Sequence, residues 1–195
     1  QASNALQELA TIATNYDVDG INVHFINDMD SGIGLKSSAQ VAQLFSRVKP
    51  RGGTNLGRKL ELLTSIYMEK IERANKEGGM MQVMQTCKPV NYVIITDGQP
   101  TDDVEGPITA LAKRLDEGRF SLTQIGLQFL QIGSEPSATD FLQKLDDNLH
   151  KTHKVRDIVD CTPYIGGPIT ADMITKILLG GINRRVDMQD TRGLV

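Results

Sequence analysis

Val90-Asn91-Tyr92-Val93-Ile94-Ile95-Thr96-Asp97-Gly98 is the stretch on which the reading of this chain turns. Seven residues rich in β-branched side chains run almost without polar interruption and stop at an Asp-Gly pair. A strand with one wet face alternates apolar and polar residues, whereas a parallel strand covered on both faces reads as a continuous apolar run. Val90–Thr96 is of the second kind, so helices are expected to cover the sheet it belongs to.

The neighbouring segments supply them. Upstream, Leu60, Leu63, Ile66, Tyr67 and Ile71 predict a long helix from Leu56 to Lys76, stopped by Gly78-Gly79. Downstream come a helix from about Val104 to Leu115 and a strand from Leu122 to Ile132 containing Gly126. A helix from about Ser137 to Leu149 and a strand from Val155 to Cys161 follow. A last helix runs from an N-cap at Thr170 to about Val186. Nearer the N-terminus, Leu6, Leu9, Ile12, Ala13 and Tyr16 give a helix capped by Ser3. Asp17–Gly20 breaks it, and Ile21–Ile26 is a strand that ends in the polar run Asn27–Gly32. Ser38–Val48 is a short amphipathic helix with Val41, Leu44, Phe45 and Val48 on one face, and Pro50–Asn55 is a loop.

Strand and helix alternate throughout, without repeat, linker or low-complexity run. The expected architecture is one α/β domain over residues 1–195: three layers, Rossmann-like and doubly wound, with a mostly parallel sheet and helices on both faces. Residues 187–195 read as a flexible C-terminal tail.

Composition narrows the function classes. With 195 residues, 39% hydrophobic and 23% charged, the chain has ordinary globular make-up and enough length to bury a core. A formal charge of −3 supplies no basic field for nucleic acid, and no apolar run approaches the ~20 residues of a membrane span. Cys87 and Cys161 are too few for a disulfide framework and lack metal-ligand spacing. No Asn-x-Ser/Thr sequon and no signal-peptide pattern occur, which agrees with a cytoplasmic location.

Ligands of open α/β sheets sit beyond the carboxyl ends of the strands, which singles out the loops Asn27–Gly34, Pro50–Gly57, Thr96–Asp103 and Gly133–Ser137. Two of them carry a resemblance. Ile94-Ile-Thr-Asp-Gly98 is similar to the strand end bearing the third metal-site motif of von Willebrand factor A (vWA) domains. Gly52-Gly-Thr-Asn-Leu-Gly57, followed by a long helix, resembles the loop that supplies their metal-binding threonine. The order fits as well, because Thr54 precedes Asp97 by 43 residues with one long helix between.

The resemblance implies a metal-ion-dependent adhesion site. Mg²⁺, or Mn²⁺ or Ca²⁺ in its place, would take oxygens from Thr54 and Asp97 and keep several waters. Its remaining charge would attract an Asp or Glu of a partner protein. That is a non-enzymatic protein–protein interaction module, without nucleic acid or membrane insertion. The family's first motif, Asp-x-Ser-x-Ser at the end of a first strand, does not occur in this chain, whose first helix begins at about Ser3. The resemblance therefore implies a vWA-like domain truncated before that strand. The missing segment is expected upstream of Gln1 or from another copy, so self-association by strand exchange is conceivable. Half a site implies weak or absent metal binding in these residues alone.

Simpler readings accompany each residue. Thr54 could cap the helix at Leu56, and Asp97 could serve only as a turn former. Asp102 and Asp103 read as caps or first-turn charges of the following helix. His24 reads as a satisfied strand residue, His150 and His153 as solvated positions after a helix, and Cys161 as a small buried residue. Three rival functions also stand. Asp28-Met-Asp30 after a strand matches the nucleophile motif of a Mg²⁺-dependent haloacid-dehalogenase-like phosphohydrolase with Asp28 as nucleophile. Against it, Ser31 stands where Thr or Val is usual, and no lysine-bearing strand end separates the acidic loops. Gly32-Ile-Gly34 suggests a dinucleotide fold, but Ser37 replaces the third glycine. A vWA-like scaffold without metal is the third.

Overall fold

The computed structural model describes residues 18–49 and 52–162, together with Gln7, Thr11, Ile12 and Ile177. The last helix and the C-terminal tail lie outside the described residues apart from Ile177, which is helical and buried. Of the first helix, Gln7, Thr11 and Ile12 are described and helical.

The chain is α/β. Strands β1 (Ile21–His24) and β2 (Ser31–Leu35) precede helices α1 (Ser38–Arg47) and α2 (Leu56–Thr86). Strand β3 (Val90–Thr96), helix α3 (Glu105–Glu117), strand β4 (Ile125–Gln131), helix α4 (Pro136–His153) and strand β5 (Val159–Thr162) follow. β3, β4 and β5 form a parallel sheet in that order, in register from Val90↔Ile125 to Thr96↔Gln131 and from Leu127↔Val159 to Leu130↔Thr162. Parallel neighbours need a crossover, and α3 and α4 provide the two.

All seven residues of β4 are buried. Side chains alternate across a strand, so both faces of the sheet are covered there. The core is built from helical stripes: Leu60, Thr64, Met68 and Ile71 of α2, Ile108, Leu111, Ala112 and Leu115 of α3, and Leu142, Leu145 and Leu149 of α4. Buried Ile125, Leu127 and Phe129 of β4 meet them.

The N-terminal part departs from expectation. Ile21–Ile26 is not a strand of the parallel sheet: β1 stops at His24 and pairs antiparallel with β2, from Ile21↔Leu35 to His24↔Ser31. The stretch expected as a ligand loop, Asn27–Gly34, is thus half turn and half strand. β2 was missed because Ser31-Gly-Ile-Gly-Leu35 carries two glycines and no β-branched run; pairing with β1 makes it a strand. Helix α1 packs Val41 and Leu44, and Phe45 stacks edge-on against Phe25 with ring centroids 5.1 Å apart.

Other boundaries also shift. α2 does not end at Gly78-Gly79 but kinks there, with Gly79 at φ +69°, and resumes to Thr86 because Val83 is drawn into the core. β4 begins at Ile125 rather than Leu122, which sits exposed in a turn, and β5 begins at Val159 rather than Val155. His150 and His153 belong to α4 rather than following it. Both are partly buried, and His153 Nε2 lies 2.6 Å from Glu105 Oε1.

Candidate functional site

The loops carrying Thr54 and Asp97 are laced together at the carboxyl end of the parallel sheet. The amide of Thr101 donates to the Thr54 carbonyl at 2.9 Å. Asp102 receives the amide of Gly57 on Oδ1 at 3.0 Å and that of Arg58 on Oδ2 at 2.9 Å. Thr101 Oγ1 donates to Asn55 Oδ1 at 3.4 Å. From the β1–β2 turn, Asn27 Nδ2 donates to the Gly53 carbonyl, and Lys59 Nζ donates to the Asp28 carbonyl at 3.4 Å.

Two glycines make this approach possible. A Cβ on Gly57 would stand 1.7 Å from the Asp103 carbonyl oxygen, so no other residue fits without moving backbone. A Cβ on Gly53 would meet Thr101 Oγ1 at 3.1 Å. These glycines let the Gly52–Gly57 and Thr96–Asp103 loops share one surface.

This lacing overturns the simpler reading of Thr54. The residue at the α2 N-cap position, Asn55, makes no side-chain cap bond, and Asp102 caps the helix from across the fold instead. A carboxylate at a helix N-terminus takes up orphan amides and meets the positive end of the helix dipole. Thr54 is left half-buried, its hydroxyl making no hydrogen bond among the described residues. Asp103 does cap its own helix, with Oδ1 accepting from the Gly106 amide at 3.1 Å.

Asp97 ends β3 in an exposed position, and its carboxylate is uncommitted among the described residues. The turn around it is closed by its neighbour. Thr96 Oγ1 donates to the Gly98 carbonyl at 2.9 Å and accepts from the Gly98 amide at 3.4 Å. Asp97 is therefore not the side chain that forms the turn, and Gly98 has open space where a Cβ would go.

The acidic hairpin turn has a local structural role. Asp28 Oδ1 accepts from the Asp30 amide at 3.0 Å, and Asp30 Oδ1 accepts from the Ser31 amide at 3.0 Å. Asp30 also pairs with Arg47 at 3.4 Å, while Met29 at the tip is 95% exposed. Asp28 thus sits in an antiparallel hairpin, not at the end of a parallel strand as a phosphohydrolase nucleophile would. Gly32-Ile-Gly34 lies within β2, with Gly32 against Leu35 and Leu44, rather than opening a helix toward a phosphate. His24 is exposed on β1; partial burial and the Lys59 charge hold its imidazole below the usual range. Burial, reinforced by nearby acids of which Asp146 acts most, pushes the Cys161 thiol up, away from reactive thiolate character.

Among the described residues, no group of three or more His, Cys, Asp or Glu converges as a metal site, and no helix is long and apolar enough to cross a membrane. The two side chains that the sequence singled out in the laced loops offer one hydroxyl, of Thr54, and one carboxylate, of Asp97. Sequence reasoning named both but missed Asp102 as the element that holds their loops together. No local spacing could have signalled it, because its partners lie 44 and 45 residues away. Comparison with protein-family models and with curated proteins finds no match to this chain.

Proposed function

We propose that this chain is a vWA-like, doubly wound Rossmann-like binding module that acts by recognition rather than catalysis. Thr54 and Asp97 contribute two oxygens to a Mg²⁺ site of the metal-ion-dependent adhesion type, and an Asp or Glu of a partner protein takes an open position on the ion. The observation that carries the reading is the cap on α2. Asp102 satisfies two of the helix amides, so among the described residues the Thr54 hydroxyl makes no hydrogen bond and the Asp97 carboxylate of the neighbouring loop is uncommitted.

The chemistry fits a hard divalent ion. Mg²⁺ prefers oxygen ligands, keeps several waters and is often held by only one or two protein groups. When bound, it supplies an electrophilic centre for a carboxylate. The chain's own part is to fix Thr54 and Asp97 on backbone that glycine contacts and the Asp102 cap hold in place. Two donors make a partial shell, so affinity in these residues is weak, on the order of millimolar, as for low-affinity divalent-ion modules.

Titration with Mg²⁺ of the wild type, Thr54→Ala and Asp97→Ala tests this, followed by amide chemical shifts. Saturable shifts in the Gly52–Gly57 and Thr96–Asp103 loops are expected for the wild type and lost in both variants. Equal responses in all three proteins would sink the metal site and leave the metal-free scaffold. Turnover of a generic phosphate ester, abolished by Asp28→Asn, would replace it with the phosphohydrolase.

A further inference from the structure

Asp-Gly occurs twice in the chain, at Asp19-Gly20 and Asp97-Gly98, and Asn-Gly nowhere. The dipeptide has a chemistry of its own. With no Cβ in the way and a permissive backbone, the glycine nitrogen can swing onto the carboxyl carbon of the preceding Asp and close a small ring. The two pairs share this sequence and differ in what the fold puts around it.

Asp19 is held. Its carboxylate pairs with the Lys88 ammonium, and that hydrogen bond and charge keep its carboxyl below the usual range, in the ionised form that resists attack. Gly20 is pinned as well, at φ +81°. A Cβ there would stand 2.7 Å from the Leu35 carbonyl oxygen and 2.9 Å from the Gly34 carbonyl carbon, so backbone of β2 crowds the peptide that would have to turn.

Asp97 is not held. It stands exposed in the bend after β3, with no hydrogen bond or ion pair on its carboxylate among the described residues. The Gly98 amide lies outside the sheet ladder, and its partner is the Thr96 hydroxyl at 3.4 Å, a long and weak bond. Nothing lies within 4 Å of the place a Gly98 Cβ would take, so this peptide can rotate toward the carboxyl without collision.

We propose that Asp97-Gly98 is a self-modifying site, at which the chain converts the aspartyl link to an isoaspartyl one. The Gly98 nitrogen attacks the protonated Asp97 carboxyl at Cγ and forms a new N–C bond. The amide proton and the carboxyl hydroxyl leave as water, giving a cyclic imide. Water then adds back at one of the two imide carbonyls. Addition at Cγ restores Asp97, whereas addition at the main-chain carbonyl breaks the original peptide bond and leaves the backbone running through Cβ and Cγ. No reactant besides water is needed. The product carries one extra methylene in its backbone and bears its carboxylate directly on Cα. That change falls between β3 and the loop whose Thr101 and Asp102 bond Thr54 and Gly57. The proposal stands on the geometry of the two Asp-Gly pairs and is independent of metal binding.

The test ages the intact 195-residue protein at neutral pH and body temperature, native and in denaturant. Isoaspartate is located by electron-based fragmentation in the mass spectrometer, which cleaves the two isomers at different backbone bonds. In the native protein it is expected to accumulate at Asp97 about tenfold faster than at Asp19 or more, preceded by a species lacking one water. In denaturant the Lys88 pair and the packing of Gly20 are gone, and the two sites should convert at similar rates. Gly98→Ala fits the open space and should slow conversion at Asp97 about tenfold. Asp97→Glu, whose longer arm closes a larger ring, should abolish it. An Asp97 that stays unconverted in the native protein would overturn the proposal. So would an Asp19 that converts as fast, or the same preference for Asp97 in denaturant, which would assign the difference to local sequence rather than to the fold.

Discussion

Asp102 holds the amide of Gly57 at 3.0 Å, joining the loop after β3 to the first turn of α2 across 45 residues of chain. The same carboxylate takes the Arg58 amide, so one side chain caps the long helix and fixes the spacing of the two loops that carry Thr54 and Asp97. Thr54 and Asp102 should therefore behave differently on truncation. Asp102→Ala is expected to lower stability by about 1 kcal/mol, the usual cost of a lost cap, and Thr54→Ala to stay within about 0.5 kcal/mol of wild type. Urea midpoints with an unchanged m-value check both. The reverse order would return the cap to Thr54.

Gly57→Ala tests the close approach of the loops. The added Cβ meets the Asp103 carbonyl oxygen, which is backbone and cannot rotate away. A loss of about 1–3 kcal/mol is expected, as for other overpacked sites. Chemical-shift changes should concentrate in Asp102–Gly106. Gly98→Ala, with open space around its Cβ, is the control and should be near neutral.

Arg156 ties the lead-in of β5 to the end of α3. Its side chain is 8% exposed, and it donates to Asp116 Oδ1 at 2.6 Å and to the carbonyls of Ser121 and Leu115 at 3.0 Å each. Arg156→Met keeps much of the stem but takes the donor from two carbonyls, while Asp116, 43% exposed and still bonded to the Arg156 amide, regains water. A cost of about 1–3 kcal/mol is expected in chemical denaturation, the range for polar groups left without a partner. A change below about 1 kcal/mol would show that water replaces the guanidinium freely.

Alkaline unfolding should report Tyr92. Burial, with a smaller contribution from Tyr67, pushes its phenol up from 10.0 to about 12, while its hydroxyl donates to the Leu63 carbonyl at 3.3 Å. The folded value lies above the unfolded one, so this contribution is fully present below about pH 10 and is lost as pH rises toward 12. The loss amounts to at most ~3 kcal/mol, on the scale of about 1.4 kcal/mol per unit. Tyr92→Phe should flatten the fall of stability between pH 10 and 12 in thermal melts. An unchanged slope would assign it to other groups.

Local periodicity explains what could be read from the sequence. Val90–Thr96, Ile125–Gln131 and the stripes of α2, α3 and α4 announce themselves because each records its own burial. β2 does not, since Ser31–Leu35 is a strand only through its pairing with β1. The resumption of α2 after Gly79 depends on Val83 finding the core. Thr54 and Asp97 were singled out by loop position and motif order alone. The cap from Asp102 and the bridge from Asn27 to Gly53 join residues far apart in sequence, so only the fold reveals them.

Relaxation by Mn²⁺ tests the central claim most directly, because a paramagnetic ion broadens nearby amides even when binding is weak. Mn²⁺ added to the protein should selectively broaden Gly53–Asn55 and Thr96–Gly98, excess Mg²⁺ should reverse the effect, and Thr54→Ala or Asp97→Ala should remove it. Broadening centred on Asp28–Asp30 or on Asp140 and Asp147 of α4, or an identical pattern in both variants, would contradict the account.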